Sequence, residues 1–207
     1  MRLARTVCTR LAVLLLSASI ATTQSSKPPR QPDVSYVAST KEAVQMMLKL
    51  ADVKKSDVVY DLGCGDGRIV IAAAKIYGAR GVGIDIDPRR ILESKSNAKK
   101  AGVESLVRFE ENDLFKADIH EATVVTLFLL SSLNFRLRPK LLQDLEPGTR
   151  IVSNTFSMGD WPPDEEVTVE TSGENDLLSR KLYLWVVPPR SAKWFRSSYA
   201  TRGRTLC

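Results

Sequence analysis

The chain has 207 residues, of which 43% are hydrophobic and 26% charged, which suits a single globular domain with a buried core. Its formal net charge of +6 comes from the tails, because residues 34–187 hold 20 basic and 23 acidic residues. A domain that binds nucleic acid needs basic residues clustered on its binding face, so this distribution argues against a nucleic-acid partner.

The first 26 residues are typical of a targeting segment. A basic start, MRLARTVCTR, precedes the apolar run LAVLLLSASIA, and Ser19-Ile20-Ala21 is an acceptable cleavage site. This pattern predicts a signal peptide or membrane anchor, and therefore an exported or membrane-anchored protein that associates with the membrane through this segment. The segment is also rich in Arg, Ser and Thr with no acid before Asp33, so a mitochondrial transit segment is the alternative. The predicted division is a targeting segment 1–26, a linker 27–34, a folded domain 35–188 and a basic tail 189–207.

Strands and helices alternate along most of the folded part. A first helix is predicted in STKEAVQMMLKLADV, with Ser39 and Glu42 as its capping box. Five strands follow, DVVYDL, GVGIDID, LVRFEE, ATVVTLFLL and RIVSNTF, and the helices between them include DGRIVIAAAKIYG, PRRILESKSNAKKAG and LNFRLRPKLLQDL, the last interrupted near Pro139. The final strands, EEVTVET and RKLYLWVV, have no helix between them. The pattern predicts an α/β fold with a doubly wound, mostly parallel seven-stranded sheet and an antiparallel edge hairpin.

A glycine-rich turn, YDLGCGDGR, follows the first of these strands. Ligands of such sheets bind at the carboxyl ends of the strands, where Asp61, Gly63, Gly65 and Gly67 are placed. The dinucleotide fingerprint requires G-x-G-x-x-G, whereas here Arg68 stands where the third glycine is needed. An NAD-dependent oxidoreductase is therefore disfavoured, and no G-K-[ST] sequence forms a phosphate loop.

Acidic residues at three strand ends indicate a different ligand. Asp61 would repel a phosphate but suits an ammonium group, and the glycines allow the backbone to approach a ligand closely. Asp85, at the end of the second strand, is placed to accept both hydroxyls of a ribose. Asp113, after the third strand, is placed to accept from an adenine amino group. An amino-acid end, a ribose and an adenine without phosphate describe S-adenosylmethionine.

These stretches resemble the motifs of class I S-adenosylmethionine-dependent methyltransferases, namely VVYDLGCGDG, GVGIDID and ENDL. The longer pattern through LFLLSSLN and LRPKLLQDLEPGTRIVS resembles a small family that includes the mitochondrial lysine methyltransferases of the ATP synthase c subunit and the adenine nucleotide translocase, with their bacterial relatives. The resemblance implies the Rossmann-like methyltransferase fold and S-adenosylmethionine as cofactor. The cofactor-binding residues expected on this basis are Tyr36, Asp61, Gly63, Cys64, Gly65, Gly67, Asp85, Ile86, Asn112, Asp113 and Leu114.

The acceptor is expected at the end of the fourth strand. Enzymes that methylate base amino groups often carry an Asn/Asp-Pro-Pro-aromatic turn there, but this chain has LFLLSSLN. The family resemblance implies methylation of a lysine side chain in a membrane protein. Ser131, Ser132 and Asn134 are then predicted to orient the amine, with turn and helix-cap roles as the alternative. A small-molecule methyltransferase and a non-catalytic S-adenosylmethionine-binding module remain competing hypotheses, and Ala38 and Ser131 replace two prolines expected in the family.

Neither a metal nor a histidine-based site is predicted. Cys8, Cys64 and Cys207 are scattered without metal-ligand spacing. The single histidine, His120, is interpreted as a solvated loop residue. The polar segment SMGDWPPDEE is interpreted either as a lid or acceptor-docking loop, with Asp160 and Trp161 foremost, or as an ordinary edge loop.

Overall fold

The computed structural model describes residues 36–169 and 180–191. The predicted segments 1–26 and 27–34 lie outside the described residues, as does the tail from residue 192, so the domain division stays a prediction. In the described part, helices and strands follow in the order α1 Lys41–Leu50, β1 Val58–Leu62, α2 Arg68–Tyr77, β2 Arg80–Asp85, α3 Pro88–Ala101, β3 Val107–Glu111, β4 Val124–Leu127, α4 Ser131–Asp144, β5 Arg150–Asn154, β6 Glu165–Val169 and β7 Arg180–Val186.

The seven strands form one sheet in the order β3-β2-β1-β4-β5-β7-β6. The first five strands pair in parallel, and β7 runs antiparallel both to β5 and to β6. The reversal of strand order at β1 leaves a crevice at the carboxyl ends of β1 and β4, which is where such sheets bind ligands. The predicted doubly wound sheet with an antiparallel edge hairpin is confirmed.

Two apolar cores cover the two faces of the sheet. Along β1 the side chains alternate between them: Tyr60 and Leu62 point to the core under α4, and Val59 points to the core under α1, α2 and α3. Since strand side chains alternate between faces, a strand covered on both sides must be apolar throughout most of its length, and β1 and β4 are buried at every position.

Most helix ends lie where the sequence predicts them. Gly78 and Gly102 end α2 and α3 in the left-handed conformation, and the Asp87 carboxylate caps α3. The predicted capping box of Ser39 and Glu42 is wrong, because Thr40 is the N-cap of α1 and accepts from the Ala43 amide. The Ser39 hydroxyl is buried and accepts instead from the Asn154 side chain at 3.1 Å.

The structure differs from the sequence prediction at α4 and at Trp161. Helix α4 begins at Ser131 and continues through Pro139 to Asp144 without an interruption. Trp161 is only 7% exposed and packs against Trp185, whose indole N–H donates to the Trp161 carbonyl at 3.0 Å. Trp161 is therefore a core residue, so the lid interpretation is wrong for this side chain, whereas Asp160 is exposed and pairs with Arg138.

The localisation predicted from the N-terminal segment, exported or membrane-anchored, is corrected. Across residues 36–169 and 180–191 we find no helix with the length and hydropathy needed to span a bilayer. The signal-like segment 1–26 lies outside the described residues, so nothing in the structure supports a signal or an anchor.

Candidate cofactor site

A cavity of about 590 Å³ opens at the carboxyl ends of the parallel strands. Its walls come from the ends of β1, β2 and β4, from the segment after β3, and from residues 36–39. Most of the predicted cofactor residues line it: Tyr36, Asp61, Gly63, Cys64, Asp85, Ile86, Asn112, Asp113 and Leu114. Gly65 and Gly67 shape the adjoining loop, while Ser131, Ser132 and Asn134 are not among the residues lining the cavity.

The loop after β1 depends on its glycines. Gly63, Gly65 and Gly67 have φ values of +87°, +53° and +79°, which is the left-handed region that side chains disfavour. In this conformation the Gly65 N–H donates to the Asp85 carboxylate at 2.9 Å. The loop is thereby tied to the end of the neighbouring strand, which brings the two predicted parts of the site together.

Asp61 is a buried carboxylate at the end of β1. It is 3% exposed, and one oxygen accepts from the Thr126 hydroxyl at 2.8 Å. Burial raises the pKa of Asp61 to about 7, the charges of Asp85 and Asp66 also raise it, and the hydrogen bond from Thr126 lowers it. A cation beside Asp61 would favour its ionised form, so this end of the cavity suits an ammonium group.

The carboxylate of Asp85 is held at the end of β2. One oxygen accepts from the Gly65 amide, and the other accepts from the Asp87 amide at 3.0 Å. The residue is partly exposed to the cavity. It therefore presents a fixed acceptor where the ribose is expected.

The segment after β3 forms a tight turn at the opposite side of the cavity. The backbone N–H of Asn112 donates to the Asp85 carbonyl at 2.9 Å, which joins this turn to β2. One Asp113 oxygen accepts from the Phe115 amide at 3.0 Å, and the Asn112 side chain accepts from the Asp113 amide. The turn thus positions Asp113 and Leu114 along the wall where the adenine is expected.

Arg68 has a role that its place in the sequence did not reveal. Its guanidinium group binds Asp66 with two nitrogens and donates to the Ser39 carbonyl at 2.5 Å. A longer contact of 3.5 Å reaches the Tyr36 hydroxyl, and the Arg90 guanidinium lies 4.2 Å from the centre of the Tyr36 ring. Arg68 therefore fastens residues 36–39 over the glycine loop. In the sequence analysis it served only to exclude the dinucleotide fingerprint, because it stands where the third glycine is needed.

Apolar side chains form the wall beyond β4, where the acceptor is expected. Phe115, Phe128, Leu129 and Leu133 line this part of the cavity, and Phe128 stacks on Phe156 with 6.1 Å between ring centres. A wall of this kind excludes water from a side chain that enters here.

The three predicted acceptor-orienting residues lie at the start of α4. Ser131 and Ser132 are exposed in the first turn. Asn134 is fully buried, and its side-chain NH₂ donates to the Phe156 carbonyl at 3.0 Å and to the Ser153 hydroxyl at 3.2 Å. Its Oδ1 has no hydrogen-bond partner among the described residues. The orienting role predicted for these residues remains a prediction.

The cavity fits S-adenosylmethionine better than a phosphate-containing nucleotide. The cavity-lining arginines are each paired with a carboxylate, so their charge is already compensated: Arg68 with Asp66, Arg89 with Asp87 and Arg90 with Glu93. Burial raises the pKa of the Cys64 thiol, which argues against a thiolate nucleophile. Nowhere in the described ranges do three His, Cys, Asp or Glu side chains come together as metal ligands.

Comparisons with known proteins agree with this geometry. The sequence model of the ANTKMT methyltransferase domain matches residues 61–165. A protein-lysine N-methyltransferase of Saccharolobus islandicus is 44% identical over 75% of this chain and 95% of its own length. The mouse lysine N-methyltransferase of the ATP synthase c subunit is 32% identical over 78% of this chain and 62% of its own length.

Solved structures agree as well. The crystal structure of an RNA methyltransferase from Salinibacter ruber with S-adenosyl-L-homocysteine has a TM-score of 0.69 and 52% sequence identity, covering 76% of this chain and 97% of the other. A methyltransferase from Thiobacillus denitrificans, also with S-adenosyl-L-homocysteine, is 23% identical with a TM-score of 0.51 over 64% of this chain and 51% of the other, and supports the fold alone.

Proposed function

This chain belongs to the ANTKMT methyltransferase family, and from that premise we propose that it methylates a lysine side chain of a membrane-embedded protein. Its cofactor is S-adenosylmethionine and its activity is methyl transfer. The observation that carries the proposal is an acid-lined cofactor end beside an apolar aromatic wall in one cavity. The lysine acceptor is supported by the Saccharolobus islandicus relative, and a membrane acceptor by the names of two mouse relatives, which act on the ATP synthase c subunit and on the adenine nucleotide translocase.

Three carboxylates are assigned to three parts of the cofactor. Asp61 faces the ammonium group, Asp85 accepts from the ribose hydroxyls, and Asp113 accepts from the adenine amino group. The backbone amide of Leu114 and the side chain of Ile86 complete the adenine wall, and Tyr36 covers the methionine end. These assignments rest on positions along the cavity and on the chemistry of each side chain.

The bound cofactor supplies a methyl group on a positively charged sulfur. Transfer would leave S-adenosylhomocysteine and a methylated lysine, whose nitrogen needs a free lone pair beforehand and releases one proton to water afterwards. A lysine titrates near ~10.4 in water, so a neutral amine requires desolvation. The apolar side chains of Phe115, Phe128, Leu129 and Leu133 line this part of the cavity and would exclude water from the amine.

The rim of the cavity supports an apolar acceptor protein. Tyr36 and Val37 line the cavity and are 41% and 61% exposed, and Leu130, which follows the cavity-lining Leu129, is 46% exposed. Exposed apolar side chains gathered at the mouth of a site are typical of an interaction surface. A lysine presented from the apolar surface of a membrane protein matches this rim.

RNA is the second candidate acceptor, because the Salinibacter ruber protein at 52% identity is described as an RNA methyltransferase. The charge distribution argues against it, since the basic excess lies in the tails and the cavity arginines are paired. A small-molecule acceptor and a binding module without turnover are the remaining alternatives.

The test supplies the full chain with S-adenosylmethionine carrying a radiolabelled methyl group, together with membranes, soluble extract and total RNA of the source cells. The proposal expects protease-sensitive label in a membrane protein that releases methylated lysine on acid hydrolysis. An Asp61→Asn variant serves as the control and should leave the band unlabelled. Label that is sensitive to nuclease would establish the RNA acceptor, and label in small solutes would establish the small-molecule acceptor. If the cofactor binds but nothing is labelled, the protein is a binding module without turnover.

A further inference from the structure

A polar side chain of β4 forms a hydrogen bond with the buried carboxylate at the cofactor end of the cavity. Thr126 pairs in register with Asp61 across the parallel β1–β4 ladder, and both residues are buried. The Thr126 hydroxyl lies 2.8 Å from Oδ1 of Asp61, and its distance to the Tyr60 carbonyl is 3.4 Å. Thr126 does not line the cavity, so it touches the cofactor site only through Asp61.

The environment of Asp61 otherwise opposes a negative charge. The carboxylate is shielded from water, and the carboxylates of Asp85, on β2, and Asp66, in the glycine loop, both repel it. The Cys64 thiol beside it is neutral, and the nearby Arg68 is bound to Asp66. A hydroxyl that donates to a buried carboxylate stabilises the ionised form and fixes its orientation.

We propose that Thr126 is a positioning residue for cofactor binding, because its hydroxyl holds the Asp61 carboxylate in the orientation that faces the cofactor ammonium. The inference rests on the proposed role of Asp61, and it adds a residue that does not line the cavity. Valine has nearly the shape of threonine but lacks the hydroxyl, and serine keeps the hydroxyl, so the two substitutions separate the hydrogen bond from packing.

The experiment measures Kd by calorimetry for two ligands. S-adenosylhomocysteine carries the ammonium group, whereas 5′-methylthioadenosine has the same adenosine and sulfur but no amino-acid end. Thr126→Val should weaken S-adenosylhomocysteine binding by about tenfold at pH 7.5, the order expected when a hydrogen bond to a charged group is lost. Binding of 5′-methylthioadenosine should stay unchanged, and Thr126→Ser should restore most of the lost affinity.

The pH dependence gives a second measure. Asp61 must be ionised to bind the ammonium, so the wild-type affinity for S-adenosylhomocysteine should fall as the pH falls through about 7. In Thr126→Val the same fall should occur at higher pH, whereas a purely structural defect would lower affinity equally at every pH.

Four results decide between the assignments. The inference is overturned if Thr126→Val binds S-adenosylhomocysteine as tightly as the wild type, or if it loses affinity for both ligands alike. An Asp61→Asn variant that keeps wild-type affinity would instead refute the role of Asp61 itself. Weak binding by Asp61→Asn with normal binding by Thr126→Val would refute the Thr126 inference alone.

Discussion

The ring of Tyr36 lies directly against Gly65: a β-carbon at position 65 would stand 2.1 Å from Cε2 of the ring. The backbone of Gly65 is also left-handed, with φ +53°. Two separate requirements therefore meet at this glycine, one for the loop conformation and one for the close approach of residues 36–39. The glycine motif shapes the loop and at the same time provides the surface on which Tyr36 rests.

Gly65→Ala should displace Tyr36 and weaken cofactor binding by at least about tenfold, because the added methyl group occupies the place of the ring. Calorimetric titration with S-adenosylhomocysteine measures this loss. Gly102→Ala is the matched control, since Gly102 has φ +69° but open space around its β-carbon position. Gly102→Ala should lose about 1 kcal/mol of stability, the order of the penalty for a β-carbon in the left-handed region, and should keep its cofactor affinity. Equal cofactor affinity in both variants would show that the Tyr36 contact does not matter.

Arg68→Met should release residues 36–39 from the glycine loop and accelerate cofactor dissociation. Its guanidinium joins Asp66 to the Ser39 carbonyl, and methionine can make neither bond. Stopped-flow displacement of S-adenosylhomocysteine measures the dissociation rate. Arg89→Met is the control, because Arg89 binds Asp87 in the same local geometry without reaching the 36–39 segment. A similar rate increase in both variants would contradict a fastening role specific to Arg68.

Asp85→Ala should lower affinity for S-adenosylhomocysteine by about a hundredfold, because two hydrogen bonds from the ribose to a charged acceptor are lost. The same substitution frees the Gly65 amide, which adds to the loss. Glu111 provides the control, since it pairs in register with Asp85 on β3 but is exposed outside the cavity. Glu111→Ala should bind the cofactor normally. An unchanged calorimetric Kd for Asp85→Ala would refute the ribose assignment.

The residues at the strand ends could be predicted because the geometry of a parallel sheet brings these ends together at one edge. Parallel strands end at one edge, so Asp61, Asp85 and Asp113, each placed at or just after the end of a predicted strand, must face a common crevice. The mostly parallel direction of the strands followed from the alternation of strand-like with helix-like segments. Local rules of this kind need no knowledge of distant contacts.

Contacts between distant parts of the chain could not be predicted in this way. The Arg68–Ser39 bond joins positions separated by 29 residues, and neither residue reveals its partner locally. Trp161 lies in a polar, turn-rich stretch but is buried against Trp185, which belongs to β7, 24 residues later. The Asn134 side chain donates to the Phe156 carbonyl, 22 residues later, and nothing in the local sequence indicates this contact. Each of these contacts depends on tertiary packing, which local patterns do not describe.

The titration of the buried Asp61 should also make the free energy of unfolding of the cofactor-free protein depend on pH. The pKa of Asp61 is about 7 in the folded state against 3.8 as its ordinary value. Between these two values the folded state retains a proton that the unfolded state has lost, so stability falls as the pH rises from about 4 to about 7. Asp61→Asn carries no charge and should not show this contribution.

Urea unfolding of the wild type and of Asp61→Asn at pH 5 and pH 8 tests this expectation without cofactor. The wild type should lose stability relative to the variant between the two pH values, on the order of a few kcal/mol, because ionising a buried carboxylate is unfavourable. Taking the difference between the two proteins removes the titration of all other groups. S-adenosylhomocysteine should then stabilise the wild type at pH 8 far more than the variant, since its ammonium group pairs with the charge. If Asp61→Asn is the less stable protein at pH 8, the carboxylate is stabilised within the fold itself and does not depend on a cationic ligand.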